Sequence, residues 1–324
     1  MFTVAVLGAS GLMGRAILDI LHERNFPMKK LILLGRENGA ITIKEQVLNC
    51  IPVENFDFTK VDIVFNATNK EVILKYLSAI VEANTILIDK SDALRLDKSI
   101  PLVVSEVNYA SAVSKTDKIV SSPNCVALPL AIVLQAMLYK TKIEEIFVTT
   151  FQSASGAGHR GTKALLEEAK KSFMSTNVSP AYFDKRIAFD ILPKIGDINQ
   201  NSSSTEELKV MSELNKILPH KIKINITCTR VPVLVGHAID LKLKCNLSKE
   251  QIVSALKSMD IIHVCDRDDT YITQRESVSE DKIFISRIRK IGDVCSMWIS
   301  YDNIRLGGAL NGVKIAEKLL HLDN

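Results

Sequence analysis

The sequence predicts an α/β fold, a doubly wound parallel sheet followed by an α+β region, and three observations carry that expectation. Short apolar runs alternate with helical periodicity from the start to Cys125, a glycine-rich turn joins the first strand to the first helix, and beyond Cys125 the strands lengthen and alternate in polarity. With 324 residues, 47% hydrophobic and 24% charged, the chain is long enough for two domains, since a single core rarely grows past roughly 250 residues.

Residues 2–7, FTVAVL, form the unbroken apolar run of a strand buried on both faces, and Leu12, Ile17, Leu18 and Leu21 give the stretch 12–24 an apolar face at helical spacing. KKLILLG, VDIVFNAT, TILID, PLVVSEVN and KIVSSPN continue the strands, and EVILKYLSAIVEA supplies a further helix. After Cys125 come EEIFVTTFQSAS, KIKINITCTRVPVLVGHAIDLKLK, KIFISRIRKI and CSMWISYDN, with helices such as TKALLEEAKKSF between them, which predicts a mostly antiparallel sheet. LSKEQIVSALKSM opens with Ser248 and Gln251 at capping-box spacing. PKIGDINQNSSST, residues 193–205, reads as a polar loop ahead of a helix over 206–218.

Composition narrows the function. The net charge is only +4 and Lys and Arg are spread along the chain, which argues against nucleic acid or a membrane surface as partner. Cys50, Cys125, Cys228, Cys245, Cys265 and Cys295 are scattered, without a CxxC pair or metal-ligand spacing, so neither a disulfide framework nor a metal site is expected. The opening MFTVAVLGASG lacks the basic and apolar regions of a signal peptide, and no apolar run reaches the roughly 18 residues of a membrane span. A cytoplasmic protein with reduced thiols is the expectation.

Gly8, Gly11 and Gly14 stand as GASGLMG between strand and helix, where glycines permit a tight turn and let backbone N–H groups approach a pyrophosphate at the helix N-terminus. The spacing is GxxGxxG, a variant of the GxGxxG dinucleotide fingerprint of Rossmann-type domains. Arg36 follows the second strand, where it could pair with the 2′-phosphate of NADP, while Glu37 beside it could instead accept from a ribose hydroxyl. Cys125 lies at the junction of a strand-like and a helix-like run, just after Pro123 and Asn124. A thiol at a helix N-terminus ionises more readily than the reference of about 8.5, whereas a cysteine elsewhere is most often a small buried hydrophobe. Of the six histidines, His237 has the best setting for a proton-transfer partner, with Gly236 beside it and Arg230 upstream. Gln152 and the turn Ser153–Gly158 follow a strand. Glu206 and Lys209 share one helix face, as solvent-facing pairs also do, and Arg95 reads as a solvated loop residue.

Taken together, GASGLMG, DKSDALR, SSPNC, FQSASGAG, TEELK, TRVPVLVGH and DNIRLGGALNGVKIAE resemble, in content and order, the bacterial aspartate-semialdehyde dehydrogenases. The resemblance implies NADP-dependent reductive dephosphorylation of L-4-aspartyl phosphate to L-aspartate 4-semialdehyde through a cysteine acyl-thioester, on the route to lysine, diaminopimelate, threonine and methionine. It implies that Cys125 is the nucleophile and His237 the acid/base. Gln152 would orient the substrate, Arg230 grip its α-carboxylate and Glu206 its α-amino group, and Arg95 and Lys209 would hold phosphate. Donors around Asn124 would face the oxyanion. The cofactor would meet Ser10, Gly11, Leu12 and Met13, then Arg36 and its neighbour Glu37, Ser155 and Gly156, and Asn311. The family fold implies an NADP-binding domain over 1–125, completed by a C-terminal helix over 303–324, with a catalytic and dimerisation domain inserted at 126–302, and a homodimer. The chain departs from the family at Glu37, where a serine is usual, and at Asn66, Ala67, Thr68 and Asn69, where SAGG is usual. An N-acetyl-glutamyl-phosphate reductase shares the chemistry, and a catalytically silent binding paralogue is the alternative outside enzymes.

Overall fold

The opening strand, β1 (Phe2–Leu7), divides its side chains between two cores, which is why its apolar run is unbroken. Val4 and Val6 pack on one face with Ile17 and Leu21 of α1 (Leu12–Glu23), while Ala5 and Leu7 pack on the other with Ile73 and Ile80. This computed structural model describes every residue except 44–45, 115–116, 175–177, 266, 268 and 322–324. The chain divides into two compact units, Met1–Asn124 with Gly308–Asn324, and Cys125–Gly307.

In the first unit β1 and α1 are followed by β2 (Met28–Gly35), β3 (Gly39–Ile43), β4 (Gln46–Pro52), β5 (Ile63–Asn66), α2 (Lys70–Glu82), β6 (Ile86–Asp89), the single turn α3 (Tyr109–Ala112) and β7 (Ile119–Ser121). The sheet order is β3-β4-β2-β1-β5-β6-β7, parallel except for the β3–β4 pair. That pair has no counterpart in the sequence reading. PLVVSEVN, expected as a strand, is not one: only Leu102 forms an isolated bridge, to Ser121. Asn108 explains the difference, because its side chain accepts from the N–H of Val104 and donates to the carbonyl of Leu102, taking the groups a ladder would use.

The second unit contains α4 (Ala127–Leu138), β8 (Glu145–Gln152), α5 (Gly158–Ser172), α6 (Thr205–Ile217), β9 (Lys223–Arg230), β10 (His237–Lys244), α7 (Lys249–Lys257), β11 (Ile262–Val264), β12 (Ile283–Ile291) and β13 (Val294–Tyr301). Its sheet runs β11-β12-β13-β10-β8-β9. The central pairs are antiparallel, and β11–β12 and β8–β9 are parallel. α4 is buried from Ala127 to Met137, an apolar helix without a solvent face. The Ser248/Gln251 capping box forms at the start of α7, and a second, Ser204/Glu207, starts α6. Buried Glu168 of α5 accepts from the N–H groups of Ala181, Ile187 and Ala188, which pins the long segment after that helix.

The chain ends on α8 (Asn311–Leu319), preceded by a π-helical stretch over Arg305–Leu310. α8 packs with α1 in the first unit's core. Residues 322–324 of the expected C-terminal helix lie outside the described residues.

Candidate active site

Three strand ends of the second unit line up in register. Gln152, the last residue of β8, pairs with Arg230, the last of β9. β10 begins at His237, and the pairing of Ala238 with Phe151 carries His237 alongside Gln152. All three side chains are buried on one face of the sheet. The link from β9 to β10 turns sharply at Gly236, whose φ is +92° and whose Cβ, were there one, would lie 2.4 Å from the Gln274 carbonyl oxygen. Only glycine fits there, and the turn delivers Arg230 and His237 to the same row.

The hydrogen bonds of His237 fix its tautomer. Nδ1 accepts from the backbone N–H of Ser153 at 3.1 Å. A backbone N–H can only donate, so the neutral imidazole carries its hydrogen on Nε2. Nε2 is buried and has no hydrogen-bond partner. It faces Gly156, where a Cβ would lie 3.3 Å from Nε2 and 2.5 Å from Arg230 Nη1. The missing side chain therefore lets an imidazole N–H and a guanidinium N–H approach the same face of Gly156. Burial, and then the positive charge of Arg230, push the His237 pKa down to about 3, so the ring is neutral at physiological pH.

Neighbouring groups hold this pair in place. Arg230 Nη1 donates to the Ser153 carbonyl at 2.9 Å, and the guanidinium lies 5.9 Å from the Phe183 ring centroid. Asn303 Oδ1 accepts from the hydroxyls of Ser153 and Ser155 and from the Gly236 N–H at 2.8 Å, tying the turn after β8 to the turn before β10. Gln152 Nε2 donates to Glu206 Oε1 at 3.3 Å. Glu206 and Lys209, both half-buried, project from the first turns of α6, whose start the Ser204/Glu207 box sets. Cys125, half-buried, stands just ahead of α4, and Gly307 packs against it so closely that a Cβ there would lie 3.1 Å from the Cys125 Cβ. Cys228, by contrast, is fully buried and its thiol pKa is pushed far up by that burial.

The remaining expected residues belong to the first unit. Gly8 has φ +85° and would place a Cβ 2.7 Å from Thr68 Cγ2, so Thr68 of the unusual Asn66–Asn69 segment fills the space beside the glycine. Gly11 stands at the N-cap of α1 and offers no capping side chain, leaving the end of that helix open to an acceptor. Leu12 and Met13 are half-buried and Ser10, Arg36 and Glu37 exposed. Arg95 is not the solvated loop residue its sequence setting suggested: it is buried, with Nε donating to the Ser122 carbonyl at 3.1 Å and Nη2 to the Lys90 carbonyl at 2.7 Å. The reason is that Ser122–Pro123 is a loop with carbonyls to satisfy, and Lys90 Nζ serves it as well, at the Ser122 hydroxyl and the Pro123 carbonyl. Asn124, also buried, is the last residue of this unit. Asn311 accepts from the Ser105 N–H and gives both amide hydrogens to Val103 and Ser122, so its side chain braces α8 and keeps only one Oδ1 lone pair for any other contact. Among the described residues no group of His, Cys, Asp and Glu is arranged to hold a metal ion, and no helix is long and apolar enough to cross a membrane.

Residues 3–115 match a family model described as the semialdehyde dehydrogenase NAD binding domain, and residues 134–306 one described as the semialdehyde dehydrogenase dimerisation domain. The chain belongs to the semialdehyde dehydrogenase family. Among relatives of this semialdehyde dehydrogenase, the aspartate-semialdehyde dehydrogenase of Rickettsia bellii is 37% identical over 98% of both chains. A crystal structure of aspartate semialdehyde dehydrogenase II from Vibrio cholerae, complexed with ASA, superposes with a TM-score of 0.93 at 32% identity, covering 100% of this chain and 99% of that one. The NADP-bound Candida albicans enzyme, at 22% identity and a TM-score of 0.73, shares the fold. Ser153 and Asn303, which fix the His237 ring, were missed in the sequence. The serine stands inside the SASGAG turn, but nothing local to the asparagine announces a contact with residues so far away in the chain.

Proposed function

We propose that this chain is an aspartate-semialdehyde dehydrogenase, catalysing NADP-dependent reductive dephosphorylation of L-4-aspartyl phosphate to L-aspartate 4-semialdehyde and phosphate in the cytoplasm, on the route to lysine, threonine and methionine. Full-length relatives bearing that name support the reading. The observation that carries it is the convergence of Arg230 Nη1 and His237 Nε2 on the face of Gly156, in one row with Gln152. A planar cation suits a carboxylate, and a neutral N–H donor suits an oxygen that becomes charged during reaction.

In this reading Cys125 Sγ attacks the acyl carbon, the bond to the phosphate oxygen breaks, and an acyl-thioester remains. NADPH, when bound, supplies the hydride that reduces the thioester. His237 donates a hydrogen bond from Nε2 to the negatively charged oxygen of the resulting tetrahedral centre, whose lone pair re-forms the aldehyde carbonyl as the carbon–sulfur bond breaks and the Cys125 thiolate departs. Asn124, next to Cys125 in the chain, adds a donor to the same oxygen. Arg230 takes the α-carboxylate. Glu206, fixed by Gln152, takes the α-ammonium, and the free amino acid follows from a carboxylate at that position. Lys209 and Arg95 serve the phosphate, Arg95 also by holding the loop that leads to the nucleophile. The first unit supplies the dinucleotide site: the uncapped start of α1 around Ser10–Met13 for the pyrophosphate and exposed Arg36 for the 2′-phosphate. Glu37 beside Arg36 weakens the preference for NADP over NAD. Ser155, Gly156 and the remaining acceptor site of Asn311 complete the cofactor contacts. Tyr182, Phe189 and Ile191 are exposed on the second unit and fit a homodimer made through it.

Phosphate-dependent oxidation of L-aspartate 4-semialdehyde, run with NADP and with NAD and against N-acetylglutamate semialdehyde, tests the reading. Turnover of the aspartate compound with NADP is expected. Turnover of the N-acetylated compound alone, or of neither, overturns it.

A further inference from the structure

The row of Arg230, Gln152 and His237 has a fourth member. β10 and β13 are antiparallel, and His237 pairs with Tyr301, so the tyrosine side chain projects from the same buried face immediately beside the imidazole. The two rings meet edge to face with centroids 5.9 Å apart. Among the described residues only three buried side-chain polar atoms have no hydrogen-bond partner, and two of them are His237 Nε2 and the Tyr301 hydroxyl. A buried hydroxyl left without a partner costs free energy, and a phenylalanine would fill the same volume without that cost. The segment that follows Tyr301 also reaches the nucleophile. Gly307, packed against Cys125, donates its N–H to the carbonyl of Asp302, the residue after Tyr301. Burial raises the phenol pKa well above its ordinary value, with the charge of Cys125 the next contribution, ahead of Glu206 and Cys228, so the group is a hydrogen-bond donor throughout the working pH range.

We infer that Tyr301 is a further substrate-contacting residue, whose hydroxyl donates to the carbonyl oxygen of the acyl group carried on Cys125, beside the N–H of His237. The inference rests on the acyl-thioester reading of Cys125 and adds a donor from β13 to it. The oxygen gains charge when the acyl carbon becomes tetrahedral, so the hydrogen bond strengthens at that stage and belongs to the rate more than to binding.

The test is acylation by p-nitrophenyl acetate, which needs neither amino acid nor cofactor: Cys125 Sγ attacks the ester carbonyl, the C–O bond breaks, and p-nitrophenolate leaves as the thioacetyl enzyme forms. Tyr301→Phe is expected to slow acylation by about 10²-fold, the usual effect of one oxyanion donor, with Tm unchanged or raised because the lost hydroxyl had no partner. Titration with iodoacetamide counts the reactive thiols, so the rate is expressed per folded site, and Cys125→Ser sets the background. A rate per site equal to wild type overturns the inference, as does a fall in Tm with that rate unchanged. If the wild type acylates but does not turn over aspartate semialdehyde, the amino acid reading fails while the role of Tyr301 is still measured.

Discussion

Gly156→Ala probes the convergence of Arg230 and His237 directly, because a single methyl group enters it and little else changes. The backbone at 156 is outside the left-handed region and the residue is exposed, so alanine is conformationally acceptable. Its Cβ would nevertheless stand 2.5 Å from Arg230 Nη1. Ordinary contact requires about 3.5 Å, so the guanidinium must retreat by roughly 1 Å. That retreat strains the 2.9 Å bond from Nη1 to the Ser153 carbonyl, which also anchors the residue supporting His237. A charged hydrogen bond contributes about 1.5–3 kcal/mol, and misplacement of a binding group by about 1 Å costs about 10²-fold in rate. The first is a cost in stability and the second a cost in rate, where a factor of 10² corresponds to about 2.7 kcal/mol. Steady-state kinetics with aspartate semialdehyde should show kcat/KM reduced by about 10²-fold, and a thermal melt should show Tm lowered by about a few degrees, the cost of the strained bond. A variant within about threefold of wild type would refute the placement of the substrate in front of Gly156.

Cys125→Ser should lower turnover by about 10³-fold or more while leaving the NADPH-induced rise in Tm intact, and substantial remaining activity would remove the nucleophile from that position. His237 stays neutral in the folded chain down to about pH 3 but takes a proton near 6.5 when unfolded. Between those values the unfolded state binds more protons, so this stabilising contribution is complete above pH 6.5 and is lost as pH falls toward 3. His237→Gln should therefore flatten the decline of Tm between about pH 7 and about pH 5, and parallel declines would contradict the burial of a neutral ring. Gly8→Ala forces a side chain onto a φ of +85° and against Thr68, a cost of about 1–2 kcal/mol, so calorimetry should show a lower Tm and weaker NADPH binding. An unchanged Tm would mean that the turn rearranges at no cost.

Much of the molecule was legible locally. The apolar run of β1 and the spacing of Ile17, Leu18 and Leu21 give strand and helix because each depends on residues within one or two turns. Where the reading failed, a distant or neighbouring polar group had taken the backbone. Asn108 turned PLVVSEVN from a strand into turns, and the carbonyls of Lys90 and Ser122 drew Arg95 inward. The contacts of the Asn311 amide with Val103, Ser105 and Ser122, which brace the last helix, also join residues too far apart in the chain for any local pattern to announce.

The sequence alone determined the two kinds of sheet, the glycine turn at Gly8, the junction at Cys125 and the family, since each is written in a short contiguous pattern. Tertiary structure decided that Arg230, Gln152, His237 and Tyr301 form one row, that Ser153 sets the imidazole hydrogen on Nε2, and that Gly156 lets the imidazole and the guanidinium approach it together. Strand register is fixed by which faces are buried across residues far apart in the chain, and a shift of one position would turn every one of those side chains to the opposite face.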